Sequence, residues 1–102
     1  MLDWSIYLIR NRFNALYCGV TNDVERRFLQ HCEGKGAKAL KGKGPLHLVW
    51  YQSGLDKSTA LKAECYIKSL HKTQKEALVS AQARLIAKTE LTPVKRVKFG
   101  LK

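Results

Sequence analysis

Apolar and polar positions alternate twice near the start of the chain. Over residues 5–9, Ile6 and Leu8 are out of phase with Tyr7 and Ile9; over residues 16–20, Leu16, Cys18 and Val20 alternate with Tyr17 and Gly19. A period of two belongs to β-strands. Residues 11–14, bracketed by Asn11 and Asn14, supply a turn, so the stretch predicts a β-hairpin. An odd number of loop residues would set Tyr7 opposite or diagonal to Tyr17, and an even number would separate them. The period then lengthens: Val24, Arg27, Phe28 and His31 fall in one helical arc, with Asn22 as N-cap and Glu25 three residues on. Arg27 is thereby carried on the inward, apolar side while Arg26 points elsewhere.

Residues 46–52, LHLVWYQ, are rich in β-formers and run into Ser53 and Gly54, which predicts a third strand. Asp56 opens a second helix over residues 57–71, whose inward arc holds Ala60, Ala63, Ile67 and Leu70, with Glu64 at its edge. Thr73, followed by Glu76, reads as a capping box for a third helix with Leu78 and Leu85 on one side. Beyond about Lys88 the pattern fades, Pro93 interrupts, and a basic tail follows. The expectation is a single α/β domain over residues 1–87 and a tail, 88–102, that is partly disordered alone.

Charge changes the picture. Nineteen Lys and Arg against eight Asp and Glu leave a formal +11 on 102 residues. Such an excess suits either a polyanionic partner, with nucleic acid the commonest, or simply a solvated surface. No segment joins a strongly basic face to a continuous apolar one, which argues against a membrane surface. Three cysteines without Cys-x-x-Cys spacing argue against a disulfide framework or a zinc site and suit reduced thiols in the cytoplasm. MLDWSIYL is too short an apolar run for a signal peptide or membrane span. In CEGKGAKALKGKGP, glycines alternate with Lys35, Lys38, Lys41 and Lys43, without P-loop spacing; the stretch is either a nucleic-acid-contacting loop or a flexible surface connection.

The eight acidic residues narrow the candidate chemistry. Glu25 and Glu76 suit capping positions, Asp23 and Asp56 suit helix starts, and Asp3, Glu33 and Glu90 fall in loops or terminal segments. Glu64 remains, on a half-buried helix face, where a carboxylate needs either an ion-pair partner or a divalent cation. Arg27 is likewise a charge on an apolar face, and two phenols stand nearby. A metal site, a cation for phosphoryl oxygens and a base for water are the requirements of phosphodiester hydrolysis. Mg²⁺ suits a single carboxylate, because it keeps several waters and takes other ligands from a phosphate.

SIY at residues 5–7, YCG at 17–19, Arg27 ten residues past Tyr17, His31 four later and Glu64 on the next long helix together resemble the GIY-YIG endonuclease domain. GKGAKALKGKGP before a strand, then DKSTALKAECYIKSLHKTQKEALV, resembles its small stand-alone bacterial members; the likeness spans residues 4–79. It implies a three-stranded antiparallel sheet flanked by helices in one compact domain, and Mg²⁺- or Mn²⁺-dependent cleavage of nucleic acid, DNA in the first instance, in repair or recombination. By resemblance Tyr17 is base or water orienter, Tyr7 its partner, Arg27 the phosphate contact, Glu64 the sole protein ligand of the metal, and His31 an aid to proton transfer. A free tyrosine titrates near ~10, so Tyr17 would need nearby positive charge or an exit for its proton through His31. Ser5 and Cys18 depart from the family pattern, and the late asparagine of many members has no counterpart after Glu64. Two other readings stay open: a nucleic-acid-binding module without catalysis, and a subunit active only with a partner. His47 and His71 read as structural, and Lys68 and Lys72 as solvated or DNA-facing.

Overall fold

The computed structural model describes residues 2–81, 83–86 and 90–93. Two strands, β1 (Trp4–Arg10) and β2 (Leu16–Thr21), form the expected hairpin. The five residues between them are held by Asn11, whose Oδ1 accepts from the Phe13 and Ala15 N–H groups at 2.8 and 3.1 Å. Asn14 turns the chain with a φ of 67°, a left-handed conformation that asparagine tolerates. The loop is odd in length, and the register follows: Tyr7 pairs with Gly19 and Ile9 with Tyr17, so the two tyrosines are diagonal neighbours on one face.

The third strand, β3 (His47–Leu55), pairs antiparallel with β1 and completes a sheet of order β2-β1-β3. It continues past the predicted end. Gly54 takes a φ of 81° and the register slips between Trp4 and Ile6, so the Ser53–Gly54 turn signal marks an irregularity inside the strand.

The helices are α1 (Val24–Cys32), α2 (Lys57–Lys68) and α3 (Lys72–Ala81). Asp23, not Asn22, caps α1 by accepting from the Arg26 N–H at 3.1 Å. Asp56 caps α2 through the Thr59 N–H, but the helix stops at Lys68, short of the predicted His71. The cap of α3 is displaced by two residues from the expected box: Gln74 Oε1 reaches back to the His71 N–H at 3.0 Å. Glu76 is thus no capping residue. It accepts from Arg10 of β1 through both oxygens, at 2.7 and 2.8 Å, and from Lys72 at 2.8 Å. Leu85 lies not on α3 but on a short strand, β4 (Ala83–Ile86), paired antiparallel with β5 (Glu90–Pro93). The rest of the proposed basic tail lies outside the described residues.

Strand parity divides the core in two. Ile6, Leu8 and Cys18 meet Trp50, Ala63, Ile67 and Leu78 on the face covered by α2 and α3. On the other, Tyr7, Ile9 and Leu40 pack with Tyr17, Phe28 and Leu46, under α1 and the loop after it. None of the described helices is long and apolar enough to cross a membrane.

Candidate active site

Tyr7 is almost wholly enclosed, at 3 % exposure, with its ring lying over Gly19. A methyl group on Gly19 would stand 2.5 Å from the Tyr7 hydroxyl, so the cross-strand partner has to be glycine. Tyr17, half-buried on the edge strand, has its ring centroid 6.4 Å from that of Tyr7. His31 approaches both, at 5.9 and 5.6 Å, meeting Tyr17 edge-on. It is buried although it belongs to the last turn of α1, because the predicted arc of Val24, Arg27, Phe28 and His31 does face the sheet.

The imidazole is held from both sides. Its Nδ1 accepts the Ala37 backbone N–H at 3.1 Å, and its Nε2 lies 2.9 Å from the Tyr7 hydroxyl. A backbone amide can only donate, so Nδ1 carries a lone pair and the ring proton resides on Nε2. His31 therefore donates to the Tyr7 oxygen and leaves the Tyr7 proton free to point elsewhere. Burial, and then the charge of Arg27, lower the His31 pKa from its ordinary value, which favours this neutral tautomer. Burial, followed by neighbouring Tyr17, pushes the Tyr7 phenol up to about 12, while Arg27 opposes the shift. Tyr7 is consequently a protonated donor at neutral pH. In this arrangement His31 does not accept a proton from Tyr7.

The close approach depends on Gly36. A Cβ there would come within 2.1 Å of His31 Nδ1 and 2.8 Å of Cε1. The lysine-glycine stretch is therefore no loose connection: Gly36 and Ala37 grip the imidazole, a turn of 3₁₀ helix spans Lys38–Leu40, and Leu40 is buried beside Tyr7. Nor does it lie apart from the cluster. Lys35, Lys38 and Lys41 remain exposed and Lys43 half-exposed. No sequence period marks Gly36; only the glycine richness of the stretch hints at a close backbone approach.

Arg27 is half-buried, with Nη1 donating to Gln30 Oε1 at 2.9 Å. Glu64 comes from the other layer, since α2 packs on the opposite face of the sheet. Its side chain is 21 % exposed and meets Lys68 through Oε2 at 3.3 Å. The Glu64 carboxylate bears on Cys18 of β2, and α2 packs against that strand, which places Glu64 beside the edge of the sheet. Lys68 is thus an ion-pair partner and not a freely solvated charge. Elimination along the chain assigns Glu76 to a cap it does not form, but Glu76 is satisfied by Arg10 and Lys72 through close bonds, whereas among the described residues Glu64 has one longer contact. No group of three or more His, Cys, Asp or Glu gathers as a metal site among the described residues. A hard cation held there would have a single carboxylate from the protein, and an oxygen donor with partial solvent access suits Mg²⁺.

Residues 3–77 match the family model described as the GIY-YIG catalytic domain. The chain belongs to the GIY-YIG family. It is 69 % identical over 80 residues to a UPF0213 protein of Vibrio campbellii, covering 78 % of this chain and 77 % of that one. A UPF0213 protein of Yersinia pestis is 54 % identical over 83 residues, covering 81 % and 87 % of the two chains. A solution NMR structure of a UPF0213 protein from Bacillus halodurans matches with 38 % identity and a TM-score of 0.50, over 76 % of this chain and 82 % of that one.

Departures from the GIY-YIG pattern have local explanations. Ser5, in place of the first glycine, is buried and shares a 2.8 Å hydrogen bond with Ser53 Oγ. Cys18, in place of isoleucine, fills the α2 face of the core, and burial pushes its thiol up to about 12, so it is an inert apolar group. All three cysteines are free.

Proposed function

We propose that this GIY-YIG protein is a metal-dependent endonuclease acting on nucleic acid, DNA in the first instance, in the cytoplasm and in repair or recombination. The observation that carries the reading is the packing of Tyr7, Tyr17 and His31 around one point with Arg27 beside them, on a chain of formal charge +11. A binding module needs external cations; it has no use for a buried phenol whose hydrogen bond is dictated by a tautomer-locked imidazole.

In this reading Arg27 grips the phosphoryl oxygens with its planar fork. Tyr17 orients the attacking water. Tyr7, its oxygen engaged by His31, directs its own proton toward the incoming water or phosphate. Glu64 would hold the metal in place of its contact with Lys68, and a cation there would supply charge stabilisation for the leaving oxygen. Lys35, Lys38, Lys41 and Lys43 hold the phosphate backbone.

The test is cleavage of labelled linear, branched and single-stranded DNA with Mg²⁺, Mn²⁺ or chelator, for wild type and Glu64→Gln. Metal-dependent cutting by wild type and its loss in a folded Glu64→Gln protein are expected. Equal cutting by both would remove Glu64 from the site. The Glu64–Lys68 pair specifically favours a second reading, a non-catalytic nucleic-acid-binding module in which Glu64 is structural. Tight binding without cutting under any metal would select it. Replacing the four loop lysines with alanine should lower affinity and flatten its salt dependence by roughly one unit or less for each lysine that meets a phosphate.

A further inference from the structure

Phe13 occupies the tip of the β1–β2 hairpin at 63 % exposure, an unfavourable place for an aromatic ring that contributes nothing to either core cluster. It is the one aromatic among the large exposed apolar side chains of the described residues. The tip that presents it is pinned on several sides. Asn11 Oδ1 takes the Phe13 N–H, the Arg12 N–H donates to the Lys43 carbonyl at 3.0 Å, and Asn14 receives Arg10 on its side chain at 2.9 Å and Lys72 on its carbonyl at 2.6 Å. The Arg12 guanidinium lies 4.8 Å from the centre of the Phe13 ring. The ring is therefore held out into water by a rigid turn, backed on one side by a cation, with the lysine-bearing loop bonded alongside.

We propose that this tip is a stacking subsite for an unpaired nucleobase. A base would lie on the face of Phe13 away from Arg12, and Arg12 and Lys43 would meet the adjoining phosphates. Aromatic faces accept any base without sequence preference, and neighbouring cations follow the backbone. The base must be unpaired, because a base inside a duplex has both faces covered by its neighbours. The same hairpin carries Tyr17 four residues beyond Phe13, at most about 13 Å along an extended chain. A strand lying across Tyr17 and Arg27 can thus reach the tip within a few nucleotides. The proposal rests on nucleic acid being the substrate, and it names the form: single strands, flaps or junctions with unstacked bases.

The experiment measures binding in chelator, which prevents cutting, to a single-stranded oligonucleotide carrying 2-aminopurine and to the same oligonucleotide annealed as a blunt duplex. Phe13→Ala should bind the single strand about five- to a hundredfold more weakly, with the slope of affinity against salt unchanged and the 2-aminopurine emission change abolished. Phe13→Tyr should restore both, and duplex affinity should move less than about twofold in either variant. Because the ring is exposed, the thermal melt serves as a control and should stay at the wild-type position. Wild-type single-strand affinity in Phe13→Ala would overturn the subsite while leaving the nuclease reading intact. An equal loss on duplex would overturn the claim for an unpaired base. Failure of wild type to bind either oligonucleotide would remove the nucleic-acid reading itself, and the subsite with it.

Discussion

Replacing Gly36 with alanine should be the most informative single change in this protein. The added methyl carbon would sit 2.1 Å from His31 Nδ1, 2.8 Å from Cε1 and 2.9 Å from Cγ. Ordinary contact begins near ~3.5 Å, so the overlap at Nδ1 exceeds an ångström. The ring is wedged against Tyr7 on its far side and cannot retreat without breaking its hydrogen bonds to Ala37 and Tyr7. Overpacking typically costs about 1 to 3 kcal/mol, and each broken hydrogen bond roughly 0.5 to 1.5 kcal/mol; with partial relaxation, about 2 to 4 kcal/mol is expected. For a domain near 100 residues that is a fall in Tm of roughly 10 to 25 °C. Cleavage by the fraction still folded should also drop, because the Tyr7 proton would no longer be directed. Circular-dichroism melts of Gly36→Ala, His31→Ala and the double mutant form the assay. With the imidazole gone the methyl has room, so the double mutant should be no less stable than His31→Ala. Gly34→Ala is the control: its φ of 78° carries backbone strain but nothing lies within 4 Å of the added methyl. A Gly36→Ala melt within a degree or two of wild type, or strict additivity in the cycle, would refute the close approach of Gly36 to His31.

Three further outcomes follow from the same geometry. Arg27→Ala removes a half-exposed cation that donates to the neutral Gln30 and bears on the neutral Tyr7 phenol, so stability should change by less than about 1 kcal/mol while cleavage falls on the order of a hundredfold, and Arg27→Lys should also be strongly impaired; paired melts and rates check this. The lowered pKa of His31 means the unfolded chain binds its proton first, so that part of the stability is present above about pH 6.5 and is lost as the pH falls below it; urea midpoints from pH 8 to 5 should show this drop, and His31→Gln should abolish it. Glu76 is held down to about 2, chiefly by its hydrogen bonds to Arg10 and Lys72, so its contribution is present above about pH 4.5 and lost toward pH 2; at neutral pH Glu76→Gln should cost about 1 to 2 kcal/mol in denaturant melts without altering cleavage.

The hairpin, the inward arc of α1 and the buried arc of Ala60, Ala63 and Ile67 were legible along the chain, whereas the odd length of the hairpin loop was decided only in the folded register. Each is local: strand and helix periods are set by backbone geometry, and parity alone decides whether Tyr7 and Tyr17 share a face. That one hairpin-helix unit carries Tyr7, Tyr17, Arg27 and His31 was readable for the same reason, but their convergence waited on the register that puts both tyrosines on one face. Where α1, β3, α2 and α3 begin or end was not, because neighbouring candidates such as Asn22 and Asp23, or Gln74 and Glu76, have similar side-chain chemistry. Packing chooses between them: Glu76 is drawn to Arg10, 66 residues away in sequence, and Gln74 is left to cap. The grip of Gly36 and Ala37 on His31 and the pairing of Glu64 with Lys68 likewise depend on how the elements come to rest. A local pattern records which face a side chain takes. Which atom it meets, and in which protonation state, is a property of groups brought together across the fold, and hydrogen-bond geometry and desolvation settle it only there.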